Sequence, residues 1–194
     1  MSTRKNITAT ADELFYQNGF DVTSFADIAK QVGISRGNFY HHFKTKDDIL
    51  EAVIDLRLAK TRDMLRLWVE DAETPLDRIS CFIHILIRNR RKIAKYGCPV
   101  GTLVSELGKL DHVSKSHAAT LFTLFADWLI IQFSDLGCEL QDARHHARHL
   151  LALSQGVSSV AQALQDDAFV DDEVNMMLDY VAEIARTNSL KRKS

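Results

Sequence analysis

Two short apolar stripes at helical spacing meet at a single glycine, Gly33, inside the stretch from Thr23 to Asp47, and that juncture predicts a pair of short helices joined by a tight turn. Phe25, Ile28, Ala29 and Val32 form the first stripe. Thr23 and Ser24 precede it as N-cap candidates, because their hydroxyls can accept the free amide hydrogens of a first helical turn. Gly33 stands where the turn needs a residue that tolerates positive φ, and Ser35 can cap a second helix from Arg36 to Phe43. Ile34, Phe39 and Phe43 are expected to face inward, which leaves Arg36, Gly37, Asn38, Tyr40, His41 and Lys44 outside. The outward set suits a nucleic-acid groove: Asn and Arg hydrogen-bond base edges, Gly lets the backbone come close, and Tyr and Lys reach phosphates. On spacing alone an ordinary helical hairpin fits as well.

The rest of the chain also reads as helix, with only two prolines and almost no alternation of apolar and polar residues. A first helix from about Arg4 to Asn18 would bury Ile7, Ala11, Leu14 and Phe15 and stop at Gly19. One long helix follows the reading pair from Asp47 to Asp71, through Ile49, Leu50, Val53, Ile54, Leu58, Met64, Leu65 and Trp68. Thr74-Pro75 opens a helix expected to run unbroken to Tyr96, with Gly97 as its stop. Further helices are expected from Pro99 to about Leu110, Val113 to Leu136, Gln141 to Gln165 and Asp171 to Thr187. The fold class is all-α: a three-helix head over residues 1–46, a larger helical domain over 47–188, and a disordered basic tail over 189–194.

The head resembles the N-terminal domain of the TetR family of transcriptional regulators. Gly19-Phe20, Thr23-Ser24, Ile28-Ala29, Gly33-Ile34-Ser35, Gly37, Tyr40, His42-Phe43 and Lys46 all fall at that family's offsets. Phe39 stands where Leu is frequent, and Val32-Gly33 where Ala-Gly is common. The resemblance implies a helix-turn-helix in which Gly37, Asn38 and His41 approach bases. It implies that Thr23, Ser35, Tyr40 and Lys46 contact phosphates, and that Ile28, Ala29 and Phe43 hold the head together. With Ser24, Arg36 and Lys44, the base-reading and phosphate-contacting residues make up the expected DNA-binding set. The resemblance also implies a homodimer through the last two helices, where LLALSQGVSSVAQAL allows close approach and Val174, Met177, Leu178, Val181 and Ile184 form a stripe. That stripe reads equally as an intramolecular packing face. A two-fold protein would set two reading helices on half-sites a helical turn of DNA apart, or a multiple of it.

The net charge of -2 gives no global sign of affinity for nucleic acid, so the case for DNA rests on where the cations lie. Arg36, Lys44 and Lys46 cluster on the second helix and just after it. A hydrophobic content of 46% is enough for a sizeable core. No apolar run approaches the length of a membrane span, and the N-terminus carries no apolar leader, so a soluble cytoplasmic protein is expected. Cys81, Cys98 and Cys138 are odd in number and widely spaced, which suits reduced thiols.

The resemblance places a small-molecule effector in the larger domain, whose large side chains include Trp68, Phe82, Tyr96, Phe122, Phe125 and Trp128; any one of these is also ordinary core filling. Cys98 lies between a helix-ending glycine and a helix-starting proline, a setting that favours thiolate, and its segment resembles that of electrophile-sensing relatives. A small buried residue is the plainer reading. His145 and His149, four apart with Asp142 a turn earlier, could bind zinc, but Arg144 and Arg148 in the same string speak for a solvated face, and no metal or cofactor is expected. No G-x-S-x-G, H-E-x-x-H or phosphate-cradling glycine loop occurs, so an enzyme is not expected. The function expected is a ligand-responsive repressor, released from a double-stranded operator by a small molecule or by thiol modification. A helical protein-binding adaptor and a Cys98-dependent enzyme are the alternatives.

Overall fold

A computed structural model describes residues 2–191, the side chains of Arg36 and Asp167 excepted, and among these residues every regular element is a helix. In order they are α1 (Thr3–Asn18), α2 (Phe25–Val32), α3 (Arg36–His42), α4 (Lys46–Asp71), α5 (Pro75–Ile83), α6 (Ile85–Arg88), α7 (Arg90–Tyr96), α8 (Pro99–Lys109), α9 (Lys115–Asp135), α10 (Leu140–Leu164) and α11 (Asp167–Lys191). They divide into two compact units: the chain up to Thr61 with Pro99–Leu121, and Arg62–Cys98 with the chain from Phe122.

In the first unit α1 packs on α2 and α8, and α2 on α3. Its core takes most of the set the apolar spacing demands: Ile7, Ala11 and Phe15 from α1, Ile28 and Ala29 from α2, and Ile49, Leu50, Val53 and Ile54 from α4 are all buried, while Leu14, Phe25 and Val32 are half-buried. Phe39 and Phe43 are almost fully enclosed, and each such side chain contributes about 1.5–3 kcal/mol of hydrophobic stabilisation. The helix starts are capped as their sequences predict. Ser24 and Asp27 exchange hydrogen bonds at α2, and Thr74 and Asp77 do the same at α5, where Pro75 is the first helical residue. At α4 Thr45 Oγ1 accepts from the Asp48 amide while the Asp48 carboxylate accepts from the Lys44 and Thr45 amides.

In the second unit α10 packs on α7 and α11, and α11 packs on α5 and α6. Val174, Met177 and Val181 are buried, so much of the expected α11 stripe faces its own chain. Two expectations are corrected. The helix from Pro75 does not run unbroken to Tyr96 but is interrupted at His84 and Asn89. Both side chains turn back on the preceding helix, Asn89 Nδ2 donating to the Ile85 carbonyl at 3.1 Å and His84 Nδ1 lying 2.7 Å from the Ser80 carbonyl, so they compete with the regular ladder. The tail expected to be disordered from Ser189 is helical through Lys191; the remainder of the expected tail, residues 192–194, lies outside the described residues.

Candidate DNA-reading head and interior polar groups

The turn between α2 and α3 is built from the backbone. Gly33, at φ 75°, donates its amide to the Ala29 carbonyl at 3.0 Å, and Ile34 donates to the same carbonyl at 3.2 Å, which closes α2 and redirects the chain. Ser35 then caps α3, its hydroxyl accepting from the Asn38 amide at 3.3 Å. With Phe39 and Phe43 fixed in the core, α3 turns Gly37, Asn38, Tyr40 and His41 to its exposed side. Tyr40 stacks on Phe25, ring centroids 5.6 Å apart, and Phe25 meets Phe39 edge-on at 5.1 Å. A methyl group added at Gly37 would meet nothing within 4 Å. The side chain of Arg36 lies outside the described residues.

Two cations close the far end of α3. Arg4 donates to the His42 carbonyl at 2.6 Å with its guanidinium 4.0 Å from the Phe43 ring centre, and Lys44 donates to the Tyr40 carbonyl at 2.8 Å. Both positive charges sit where the helix dipole is negative. Ser24 is exposed at the α2 start with its hydroxyl donating to Asp27 at 2.6 Å, and the Ser24 hydroxyl and amide hold the Asp27 carboxyl below its usual range.

Thr23 and Lys46 are placed differently from the other expected phosphate contacts. Thr23 is buried and donates its hydroxyl to the Gly19 carbonyl at 2.6 Å. Lys46 Nζ donates to the carbonyls of Phe20 and Asp21 at 3.1 and 2.9 Å and lies 4.3 Å from the Phe20 ring centre. Glu106 of α8 takes the two amides of the same turn, Phe20 and Asp21, each at 2.9 Å. Gly19, at φ 96°, is required there twice over, since a Cβ would sit 3.0 Å from Glu106 Oε1. Beside this, the buried Arg57 binds Asp12 of α1 at 2.6 Å and donates to the Pro99 carbonyl at the start of α8. The sequence offered no sign of Glu106, Arg57 or Arg4, whose partners lie 38 to 86 residues away.

In the second unit the expected effector residues are brought together in pairs. Trp68 and Trp128 meet at 5.6 Å and Phe82 and Phe125 at 5.7 Å; these four are buried and Phe122 is half-buried. Cys98 is half-buried between Gly97 and Pro99. Cys81 and Cys138 are also half-buried; Cys138 accepts from Asn188 at 3.1 Å, and burial pushes its thiol pKa up. The rings of His145 and His149 lie parallel, centroids 6.4 Å apart, beside Arg144 and Arg148 on a shallow hollow of about 500 Å³. His146 meets His145 edge-on, centroids 5.9 Å apart, with its Nδ1 2.6 Å from the Tyr180 hydroxyl. Among the described residues no group of three or more His, Cys, Asp or Glu is arranged to hold a metal, and no helix is long and apolar enough to cross a membrane.

Residues 7–53 match the sequence profile of the bacterial regulatory proteins of the tetR family. The chain is 29% identical over 168 residues to an uncharacterised HTH-type transcriptional regulator of Lactococcus lactis, covering 85% of this chain and 86% of that protein. It is 34% identical over 86 residues to the HTH-type transcriptional regulator TtgR of Pseudomonas putida, covering 44% of this chain and 40% of TtgR. The crystal structure of a TetR transcriptional regulator from Legionella pneumophila superposes with a TM-score of 0.82 over 91% of this chain and 96% of that one, at 23% identity, a likeness of fold.

Proposed function

Because the chain belongs to the tetR family of bacterial regulatory proteins, we propose that it is a cytoplasmic, homodimeric repressor that binds an operator through α3 and leaves it when the second unit takes up an effector. The observation that carries this reading is Gly37. A glycine inside a helix costs about 0.5–1 kcal/mol relative to alanine, and nothing in the head needs its missing methyl group. An outside surface that comes up against the backbone does need it, and a base edge in the major groove is such a surface.

Around Gly37, Asn38 and His41 read base edges, with Arg36 joining them by its place in the sequence. Ser24, Ser35, Tyr40 and Lys44 lie along the phosphates. Thr23 and Lys46 serve by fixing the α1–α2 turn. The second copy docks on the exposed face of α10, where Ala152, Gly156, Ser159 and Ala163 recur at helical spacing, and on the α11 face that carries Met176, 65% exposed. Gly156, like Gly37, has open space where its Cβ would stand. Trp68, Phe82, Phe122, Phe125 and Trp128 supply the effector site. Thiol modification at Cys98 is a narrower route to release, supported by its place immediately before α8, the helix that carries Glu106.

A mobility shift on the DNA upstream of the protein's own gene, repeated across a salt series, tests the reading. A specific shift whose affinity falls steeply with salt supports phosphate and base contact, and a complex indifferent to salt would turn the reading toward a protein partner. Release by an electrophile from the wild type and equally from Cys98→Ser would remove the thiol route.

A further inference from the structure

The interior of the second unit holds two polar atoms that the fold leaves without a protein partner, Trp128 Nε1 and Gln132 Oε1. Trp128 is 9% exposed and Gln132 2%. One is a donor and the other an acceptor, four residues apart on α9 and therefore on one face of it, yet they do not bond to each other. The other buried polar side chains of this unit are engaged: Ser154 donates to the Leu151 carbonyl, Ser158 to the Ser154 carbonyl, and Asn188 to Cys138. A buried polar group left unpaired is costly and rare, so two complementary ones on one helical face call for a third party.

The surroundings define that party. Phe125 lies on the same face of α9 one turn before Trp128, with Trp68 of α4 edge-on to Trp128 and Phe82 of α5 edge-on to Phe125. Among the described residues, no charged side chain is buried in this unit, so an ion would enter without a counter-charge and lose its hydration. We infer that the effector is an uncharged, largely apolar aromatic molecule bearing a hydroxyl or amide that accepts from Trp128 Nε1 and donates to Gln132 Oε1. The inference rests on the reading that the second unit holds an effector site, and it adds Gln132 and the chemistry of the ligand.

The chain has two tryptophans, Trp68 and Trp128, so indole fluorescence reports directly on this place. The full-length protein is titrated with 4-ethylphenol, ethylbenzene and 4-ethylbenzoate. A saturable change with 4-ethylphenol is expected, with ethylbenzene about tenfold weaker and no response to 4-ethylbenzoate at the same concentrations. Gln132→Leu should weaken 4-ethylphenol about tenfold, leave ethylbenzene unchanged, and hold or raise Tm because an unpaired group is gone. Trp128→Phe keeps a ring and leaves Trp68 as reporter; it should weaken 4-ethylphenol similarly. Silence toward both neutral probes, 4-ethylbenzoate binding as tightly as the phenol, or a Gln132→Leu protein with lowered Tm and unchanged phenol affinity would each overturn the inference. The mobility shift keeps the two readings apart. A normal shift with no phenol binding removes this site alone, and phenol binding with no shift on any DNA removes the repressor and leaves the site.

Discussion

Glu106 and Lys46 grip one peptide turn from opposite sides: the carboxylate takes the amide hydrogens of Phe20 and Asp21, and the ammonium gives hydrogens to the carbonyls of the same two residues. The turn that leads into the reading pair is therefore held by α8 and by the first residue of α4. Such charge-assisted bonds are worth more than neutral ones, about 1.5–3 kcal/mol against about 1.

Lys46→Met should keep contact with the Phe20 ring and lose both carbonyl bonds. Tm and operator affinity should fall together, while the slope of affinity against salt stays as in the wild type. A phosphate-bound Lys46 would instead lower that slope by about one, and measuring it on the same DNA separates the two roles. Glu106→Gln, which places an amide donor against an amide donor, should cost about 2 kcal/mol of head stability by urea denaturation.

Gly37→Ala should act in opposite senses on the two states of the protein. The free head gains about 0.5–1 kcal/mol from better helix propensity, and the operator complex weakens because a methyl group now stands between backbone and DNA. A variant more stable and equally tight on DNA would remove the argument from close approach.

The reading pair was legible because its determinants are local. Ser24, Gly33 and Ser35 set starts and stops within a few residues of themselves, and Phe39 and Phe43 follow the helical period. What held the pair in place was not legible: Glu106 reaches the turn from 85 and 86 residues away, and a lone Glu in an apolar helix reads as solvated. The same limit applies to Lys46, since a lysine beside a reading helix carries the same letter whether it meets a phosphate or the Phe20 and Asp21 carbonyls. Gln132 had a faint signal, one amide in the apolar run of α9, but only its enclosure shows it unpaired. The breaks at His84 and Asn89 were hidden because an apolar period persists across a helix interruption.

His146 contributes a pH-dependent part to the stability of the second unit. Burial and the neighbouring His145 push its imidazole below the ordinary 6.5; Asp142 opposes this and His149 adds to it. The unfolded chain then takes up the proton first as pH falls. The contribution of His146 to stability is complete above 6.5 and is lost as pH drops toward the lower folded pKa. Thermal melts between pH 7.5 and pH 5 should decline through this window and decline less in His146→Gln; parallel curves would exclude His146 as the cause.

Gly156→Leu should leave the single chain folded, since the new side chain points into open space, and should weaken the dimer. Sedimentation at falling concentration reads this directly: monomer appearing in the variant at concentrations where the wild type stays dimeric. An unaffected dimer would move the interface off this face of α10.

The first compact unit is written in two pieces of sequence, with Arg62–Cys98 lying between them. A recombinant graft of residues 1–46 onto a foreign body would leave the Phe20 and Asp21 amides without Glu106 and Asp12 without Arg57. Chimeras that keep this head working must carry α8 across as a second splice, so the natural unit of exchange is discontinuous, and a gene-level cut at the end of the reading pair divides what the protein folds as one.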